Sequence, residues 1–458
     1  MFKRVIFSIF IISALLVTSL PARAATATGT IGINVLLNTK ITNPILADLG
    51  NYGKVRNVVY EIKAVTMQIS ADQLPAIKLL PYVAIANRDV KRNGAPVDTV
   101  SVTDFSDGRS TWDLDSINVT EFGTTSRQVA YDGSGVYVAV LDTGLVDAWR
   151  QYFPQERIAV EYAKVFGGGG NDYGNVSEPT NKWEHDQNSH GTHVTSTILG
   201  YSMYGTSING VAPMATVIPV KVLNQNGSGW SSVVARGIVY VADLKVGPLA
   251  GFPVVINMSL GGPSLDPMEK AAVDYAVGKG VIIVASAGNG GTNGMGYPGA
   301  YAPVISVAAS GWIGEWRPAG SRTWWYNQNV PDPTDAANFY ITSFSSRQKT
   351  GQDLDVAAPG SWVVGPYQVN SGQISYYFLG GTSMASPHVA GIVALMAQKN
   401  PALTAANAET YLENSAIALP AGCRTVYGPS GSSTSVCWDT DATGFGLATA
   451  NAALALVP

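Results

Sequence analysis

Asp142, His190 and Ser383 stand in three short motifs, Val140-Leu-Asp-Thr-Gly144, His190-Gly-Thr-His-Val194 and Gly381-Thr-Ser-Met-Ala-Ser-Pro387. An acid, then a histidine, then a serine is one of the chain orders in which an activated-serine constellation is assembled. A serine hydroxyl is a poor nucleophile until a base takes its proton. An imidazole titrates near neutrality and can serve as that base. A carboxylate on its far nitrogen would fix the tautomer and stabilise the imidazolium. The chemistry these types and this order point to is acyl transfer through Ser383, with peptide-bond hydrolysis as its leading form.

The elements needed to hold those groups are legible around them. Val136 to Leu141, Val217 to Val222, Val254 to Met258, Val281 to Ala285 and Val304 to Val307 are short, nearly continuous apolar runs rich in β-branched residues. Such runs suit strands covered on both faces of a parallel sheet. Helical patterns over 190–199, 233–244 and 268–278 alternate with them. The expected fold class is therefore α/β, a doubly wound, mostly parallel sheet flanked by helices. Ligands of such sheets sit at the carboxyl ends of the strands, where Asp142 and Asn289 follow their runs.

Ser383 opens a helix expected to reach about Ala397, with Gly380 and Gly381 before it and Pro387 placed in its first turn. A serine there has free backbone N–H groups and the positive end of the helix dipole beside it, suited to an oxyanion. Asn289, after Ala287-Gly288, is the candidate for a second oxyanion donor. Ser386 is the rival serine, one turn further in. His193, without the glutamate of a zinc helix motif, reads as packing, and His388 as a hydrogen-bonded core residue. His185 lies in a polar loop and receives no role.

Lys plus Arg total 28 against 32 Asp plus Glu, a net charge of −4 that argues against a dedicated nucleic-acid binder. Hydrophobic residues make up 46% and charged residues 13%, with 49 glycines, as in a compact, loop-rich enzyme. Lys3 and Arg4, the apolar run Val5 to Leu20 and the small-residue site Ala22-Arg23-Ala24 read as an export signal at 1–24, cut after Ala24. No later run is long enough to span a bilayer. The expected destination is secreted, extracellular or periplasmic, with no membrane attachment once the signal is removed. Cys423 and Cys437 then suggest a disulfide, whose loop of about 15 residues would stabilise by roughly 3 kcal/mol on the chain-entropy model.

From Gly29 to Asp89 the pattern is a small α+β unit: a strand within Val58 to Met67, a helix from an N-cap at Ser70 to Leu79, and a second strand over Tyr82 to Ala86. Val90 to Ser110 is polar, without periodicity, and reads as a linker. Gly167 to Gly170 has no Lys-Ser/Thr after it, so it is a surface loop and not a phosphate cradle. Trp312, Trp316, Trp324 and Trp325 crowd one segment, for which packing on the body is the favoured reading.

Together these motifs resemble the subtilisin-like serine proteases, the subtilases. The likeness runs from about Trp112 to the C-terminus and includes Trp112-Asp-Leu-Asp-Ser-Ile117, Gly210-Val-Ala-Pro213, Val220-Lys-Val-Leu223 and Gly444-Phe-Gly-Leu447. The resemblance implies that Asp142, His190 and Ser383 are the triad and Asn289 the oxyanion asparagine. It implies that Gly227-Ser228-Gly229 and Ser259-Leu260-Gly261-Gly262 line an extended polypeptide as strand partners. Gly290 and Gly296 fall where the specificity pocket would lie; with no acidic residue there, large apolar residues before the scissile bond are expected. The early unit resembles an inhibitory propeptide over 25–108, ending within about 89–110, that docks on the catalytic domain 109–458 and is removed by it. No cofactor is required for the chemistry. Structural calcium enters by family analogy alone, its ligands unassigned, and the chain is expected to be a monomer. A silent peptide-binding relative, or a transpeptidase or cyclase using the same acyl-enzyme, are the alternatives.

Overall fold

The structure is a computed structural model and describes residues 29–102, 112–121, 126–170, 178–318, 330 and 332–458. The expected signal segment lies outside those residues, as do Trp324 and Trp325. At the centre is an eight-stranded sheet. Its order is Phe339–Ile341, Ile305–Trp312, Val281–Ser286, Val254–Met258, Tyr137–Asp142, Thr216–Lys221 and Lys164–Val165, with Val356–Pro359 also pairing Ile305–Trp312. All neighbours run parallel except Phe339–Ile341.

Successive side chains on a strand point to opposite faces, so each apolar run feeds two cores. Val138 and Val140 pack with Val194, Ile198 and Val389, beneath the helices His190–Leu199 and Thr382–Lys399. Ala139 and Leu141 pack with Val233, Ile238 and Val273, beneath Ser231–Val246 and Pro267–Gly278. After Tyr137–Asp142 the chain builds one side of the sheet, then crosses to build the other. That makes the carboxyl end of this central strand the switch point of the sheet, and Asp142 sits on it.

Residues Thr30–Leu37, Gly53–Val59, Ala64–Ser70 and Val83–Arg88 form a separate four-stranded antiparallel sheet with its own core around Ile33, Val35, Met67 and Ile69. It docks on the amino ends of two helices of the large domain. The buried Asp89 carboxylate accepts from Ser231 Oγ (2.8 Å), Ser232 N (3.1 Å), Ser232 Oγ (2.5 Å) and Gly170 N (2.8 Å). It thereby caps Ser231–Val246, whose own N-cap residue Trp230 makes no side-chain cap bond. Asp266 caps its own helix and also accepts from Asn34 and Asn87 of the small sheet.

Several expectations are corrected. The strand placed within Val58 to Met67 is two strands, Gly53–Val59 and Ala64–Ser70, reversed at Tyr60–Ile62 with Lys63 at φ 53°. Ser70 makes no side-chain cap; a 3₁₀ turn precedes a short helix, Leu74–Lys78. Thr30–Leu37, absent from the sequence reading, is a central strand of that sheet. Pro387 is inside Thr382–Lys399, beyond its first turn. The N–H that proline lacks would have served the Ser383 carbonyl, which accepts from Ser259 Oγ instead at 2.8 Å. Gly167 to Gly170 is a docking platform: a β-carbon on Gly170 would lie 2.2 Å from the Trp230 ring, and one on Gly32 would lie 2.1 Å from Gly170 O. The linker reading of Val90 to Ser110 is corrected over 91–101, where Lys91–Asn93 and Asp98–Ser101 are strands paired to the large domain, while 103–110 lie outside the described residues.

Candidate active site

Asp142 ends its strand, and Gly144 (φ 94°) turns the chain against Trp183, whose carbonyl would lie 2.4 Å from any β-carbon there. The turn keeps the carboxylate under the amino end of the histidine helix. His190 Nδ1 lies 2.8 Å from Asp142 Oδ1 and 3.0 Å from Oδ2, with both side chains fully buried. His190 Nε2, also buried, has no hydrogen-bond partner among the described residues. Asp142 Oδ1 accepts from Thr143 N at 2.6 Å.

Behind this pair lies a support the sequence reading missed. Thr143 Oγ1 donates to Asp186 (2.6 Å) and accepts from Gly191 N (2.9 Å), joining the aspartate turn to the histidine helix. Lys221 Nζ donates to Thr143 O and lies 3.5 Å from Asp186 Oδ1. Burial pushes the Asp186 carboxyl up and the Lys221 amine down, and each opposes the shift of the other. The available signal was Lys221 itself, a charge at the end of an otherwise apolar run buried on both faces.

Ser383 Oγ donates to the Ser259 carbonyl at 3.2 Å. Resting hydrogen bonds of catalytic groups often tighten only with substrate. Ser386 is turned away and bonded to Ser259 Oγ (2.8 Å). Asn289 Oδ1 accepts from Thr382 N and Thr382 Oγ1, both at 2.9 Å. With its oxygen so tied, the amide nitrogen faces the serine turn, 3.6 Å from the β-position of Gly381.

Asn289, Gly290, Gly296, Gly261, Gly262 and Ser383 line one cavity of about 390 Å³, and no carboxylate lines it. Gly227–Gly229 and Gly261 flank an extended segment, which is the chain's own. Lys91, Arg92 and Asn93 pair antiparallel with Trp230, Gly229 and Ser228, and Asn93 exchanges both main-chain bonds with Gly261 at 2.9 and 3.0 Å. A β-carbon on Gly262 would lie 2.3 Å from Lys91 O, so glycine is what admits the segment. Leu260 is buried beside the groove, and Ser228 is partly buried in it.

The other histidines behave as read. His388 lies between Met384 O (2.8 Å) and Asp113 (3.0 Å). His193 Nε2 lies 3.1 Å from Val363 O, and burial pushes its pKa down to about 3. His185 pairs with Asp147 at the surface. Trp312 and Trp316 are packed, the latter edge-on to Phe378. Cys423 and Cys437 form a disulfide across an exposed hairpin. Asp353, Asp355 and Glu409 bring one oxygen each within 4.8 Å of one another. Asp355 Oδ1 is buried without a partner among the described residues, and burial raises its carboxyl to about 8. Among the described residues no helix is long and apolar enough to cross a membrane.

The model of the Subtilase family matches residues 133–447. Subtilisin DY of Bacillus licheniformis is 35% identical over 293 residues, 63% of this chain and 86% of the relative. Thermitase of Thermoactinomyces vulgaris is 34% identical over 286 residues, 62% of this chain and 82% of the relative. Among solved structures, fervidolysin from Fervidobacterium pennivorans, described as a keratinolytic enzyme related to subtilisin, superposes with a TM-score of 0.66 at 24% identity. That likeness of fold covers 94% of this chain but 62% of fervidolysin.

Proposed function

The chain belongs to the subtilase family and is a serine endopeptidase acting on polypeptides; from that premise we propose that it cuts through an acyl-enzyme on Ser383. His190 takes the serine proton and returns it to the leaving amine, Asp142 fixes the imidazole tautomer, and Asn289 Nδ2 with the backbone N–H of Ser383 at the start of Thr382–Lys399 receives the oxyanion. The observation that carries this reading is the buried His190–Asp142 pair, whose second ring nitrogen has no partner among the described residues, together with the cavity that Ser383 and Asn289 line. Casein turnover by the purified enzyme, lost in both Ser383→Ala and His190→Ala, tests it.

The substrate would lie extended between Gly227–Gly229 and Ser259–Gly262, as the chain's own residues 91–93 do. The carboxylate-free cavity favours large apolar residues before the cut; strict selection of Arg or Lys from a peptide library would contradict that. The protein is made as a secreted precursor: 1–24 signal, 25–108 inhibitory propeptide with its end within about 89–110, and the remainder to 458 the enzyme. It acts as a monomer without nucleic-acid or membrane partners. Catalysis in this family needs no cofactor. Asp353, Asp355 and Glu409 would hold a structural calcium, a hard cation that prefers oxygen ligands.

A further inference from the structure

The segment in the groove is continuous with the enzyme on both sides, and its register singles out one bond. Gly94 N donates to Gly227 O (2.9 Å), and a β-carbon on Gly94 would lie 3.3 Å from His190 Cε1. Ala95 lines the same cavity as Ser383 and Asn289. Pro96 Cα is 3.7 Å from the β-position of Gly381, and Val97 N donates to Gly380 O (2.6 Å). From Asp98 the chain pairs with Tyr376–Gly380, the strand that leads into the serine turn. One residue rests against the imidazole and another against the serine turn, and the residue between them faces the pocket.

We propose that the bond offered to Ser383 is Ala95–Pro96, and that Pro96 makes it a slow one, so that the N-terminal unit persists as a tethered inhibitor bound in the manner of a substrate. The inference rests on the acyl-enzyme reading above. In the cut, Ser383 Oγ bonds to the Ala95 carbonyl carbon and its proton passes to His190 Nε2. The bond from that carbon to Pro96 N then breaks as the nitrogen takes the proton. Water afterwards displaces Ser383 Oγ, leaving a carboxylate on Ala95 and the serine reprotonated. An ordinary leaving nitrogen carries a hydrogen. The nitrogen of Pro96 carries ring Cδ in its place, which crowds the approach of the proton donor, and the ring fixes φ. Release without cutting is opposed by two buried anchors upstream. Arg92 is fully buried in an ion pair with Glu269 (2.5 Å), and Asp89 caps Ser231–Val246.

The test follows conversion of the purified full-length precursor by intact mass and N-terminal sequencing, comparing wild type, Pro96→Ala, and Pro96→Ala combined with Ser383→Ala. Hampered leaving-group protonation costs about 10²-fold, so Pro96→Ala should convert faster by about that factor, with a new amino terminus at position 96. The double variant should stay intact. Equal rates for wild type and Pro96→Ala, or a first cut in Pro96→Ala at any other bond, would overturn the proposal. A second measurement does not depend on how the variant folds. Synthetic peptides spanning 88–101 with Pro or Ala at position 96 are given to processed enzyme, and only the Ala peptide should be cut after position 95; equal cutting would also overturn it. If processed enzyme turns over casein while the substitution changes neither assay, the brake fails and the protease reading stands. If no form turns over casein, both fail.

Discussion

Two buried histidine–aspartate pairs lie among the described residues, and they are wired differently. His388 has a partner on each ring nitrogen, Met384 O and Asp113. His190 has both oxygens of Asp142 on Nδ1 and, among the described residues, nothing on Nε2. A saturated imidazole is a strut between the serine helix and the buried Trp112–Ser116 segment. A half-satisfied one, at the carboxyl end of the central strand, is a base waiting for a proton. His193 shows that an unpartnered nitrogen is not enough: its Nδ1 is unpartnered too, but its other nitrogen meets a carbonyl, and burial holds it neutral. The carboxylate on the far nitrogen makes the difference.

That contrast breaks most sharply under removal of its working member. His190→Ala or Ser383→Ala should lower turnover by roughly 10⁶-fold, the magnitude known for the triad of subtilisin itself; casein hydrolysis by folded protein measures it. Asn289→Ala should cost about 10²–10³-fold in kcat with little change in KM, a range from the same family. The strut should answer in the opposite coin. His388→Leu leaves Asp113 buried without its partner, and an unsatisfied buried group costs about 1–3 kcal/mol. Denaturant unfolding should show that loss while turnover per folded molecule is retained.

A smaller effect separates buried acids that have a basic partner from one that has none among the described residues. Glu315 is buried with hydrogen bonds from Trp312 N, Tyr340 and Ser361, and burial raises its carboxyl from 4.5 to about 8. A carboxyl raised in the folded state contributes stability that is complete below its unfolded value and lost as pH rises through the folded one. Melting temperatures of wild type and Glu315→Gln should therefore converge near pH 4 and diverge as pH rises towards about 8, with the variant the more stable. The smallest expected effect is at Asp353, Asp355 and Glu409. Chelation should lower the melting temperature of wild type but not of Asp355→Asn; no change in wild type would remove calcium from the account.

Much of this contrast was legible beforehand. The parallel strands announced themselves as unbroken β-branched runs, because strands covered on both faces need no polar side, and Asp142 and Asn289 lay just past two of them. The roles of His193 and His388 followed from what their neighbours lacked. The groove segment was not legible: residues 91–101 pair with strands more than a hundred positions away, and a polar stretch whose partners are distant carries no local periodicity. Gly167 to Gly170 failed for a similar reason, since its glycines answer to Trp230 and the small sheet. Lys221 and Asp186 form one support only after the fold closes.

The central claim is that Ser383 is the nucleophile and His190 its base. A fluorophosphonate probe applied to processed enzyme, with the label located by peptide mass and casein turnover followed in parallel, tests it most directly. The account predicts label on Ser383, loss of turnover in proportion to labelling, and no label in His190→Ala on the same timescale. Label on Ser386 or elsewhere, or full turnover with Ser383 labelled, would contradict it.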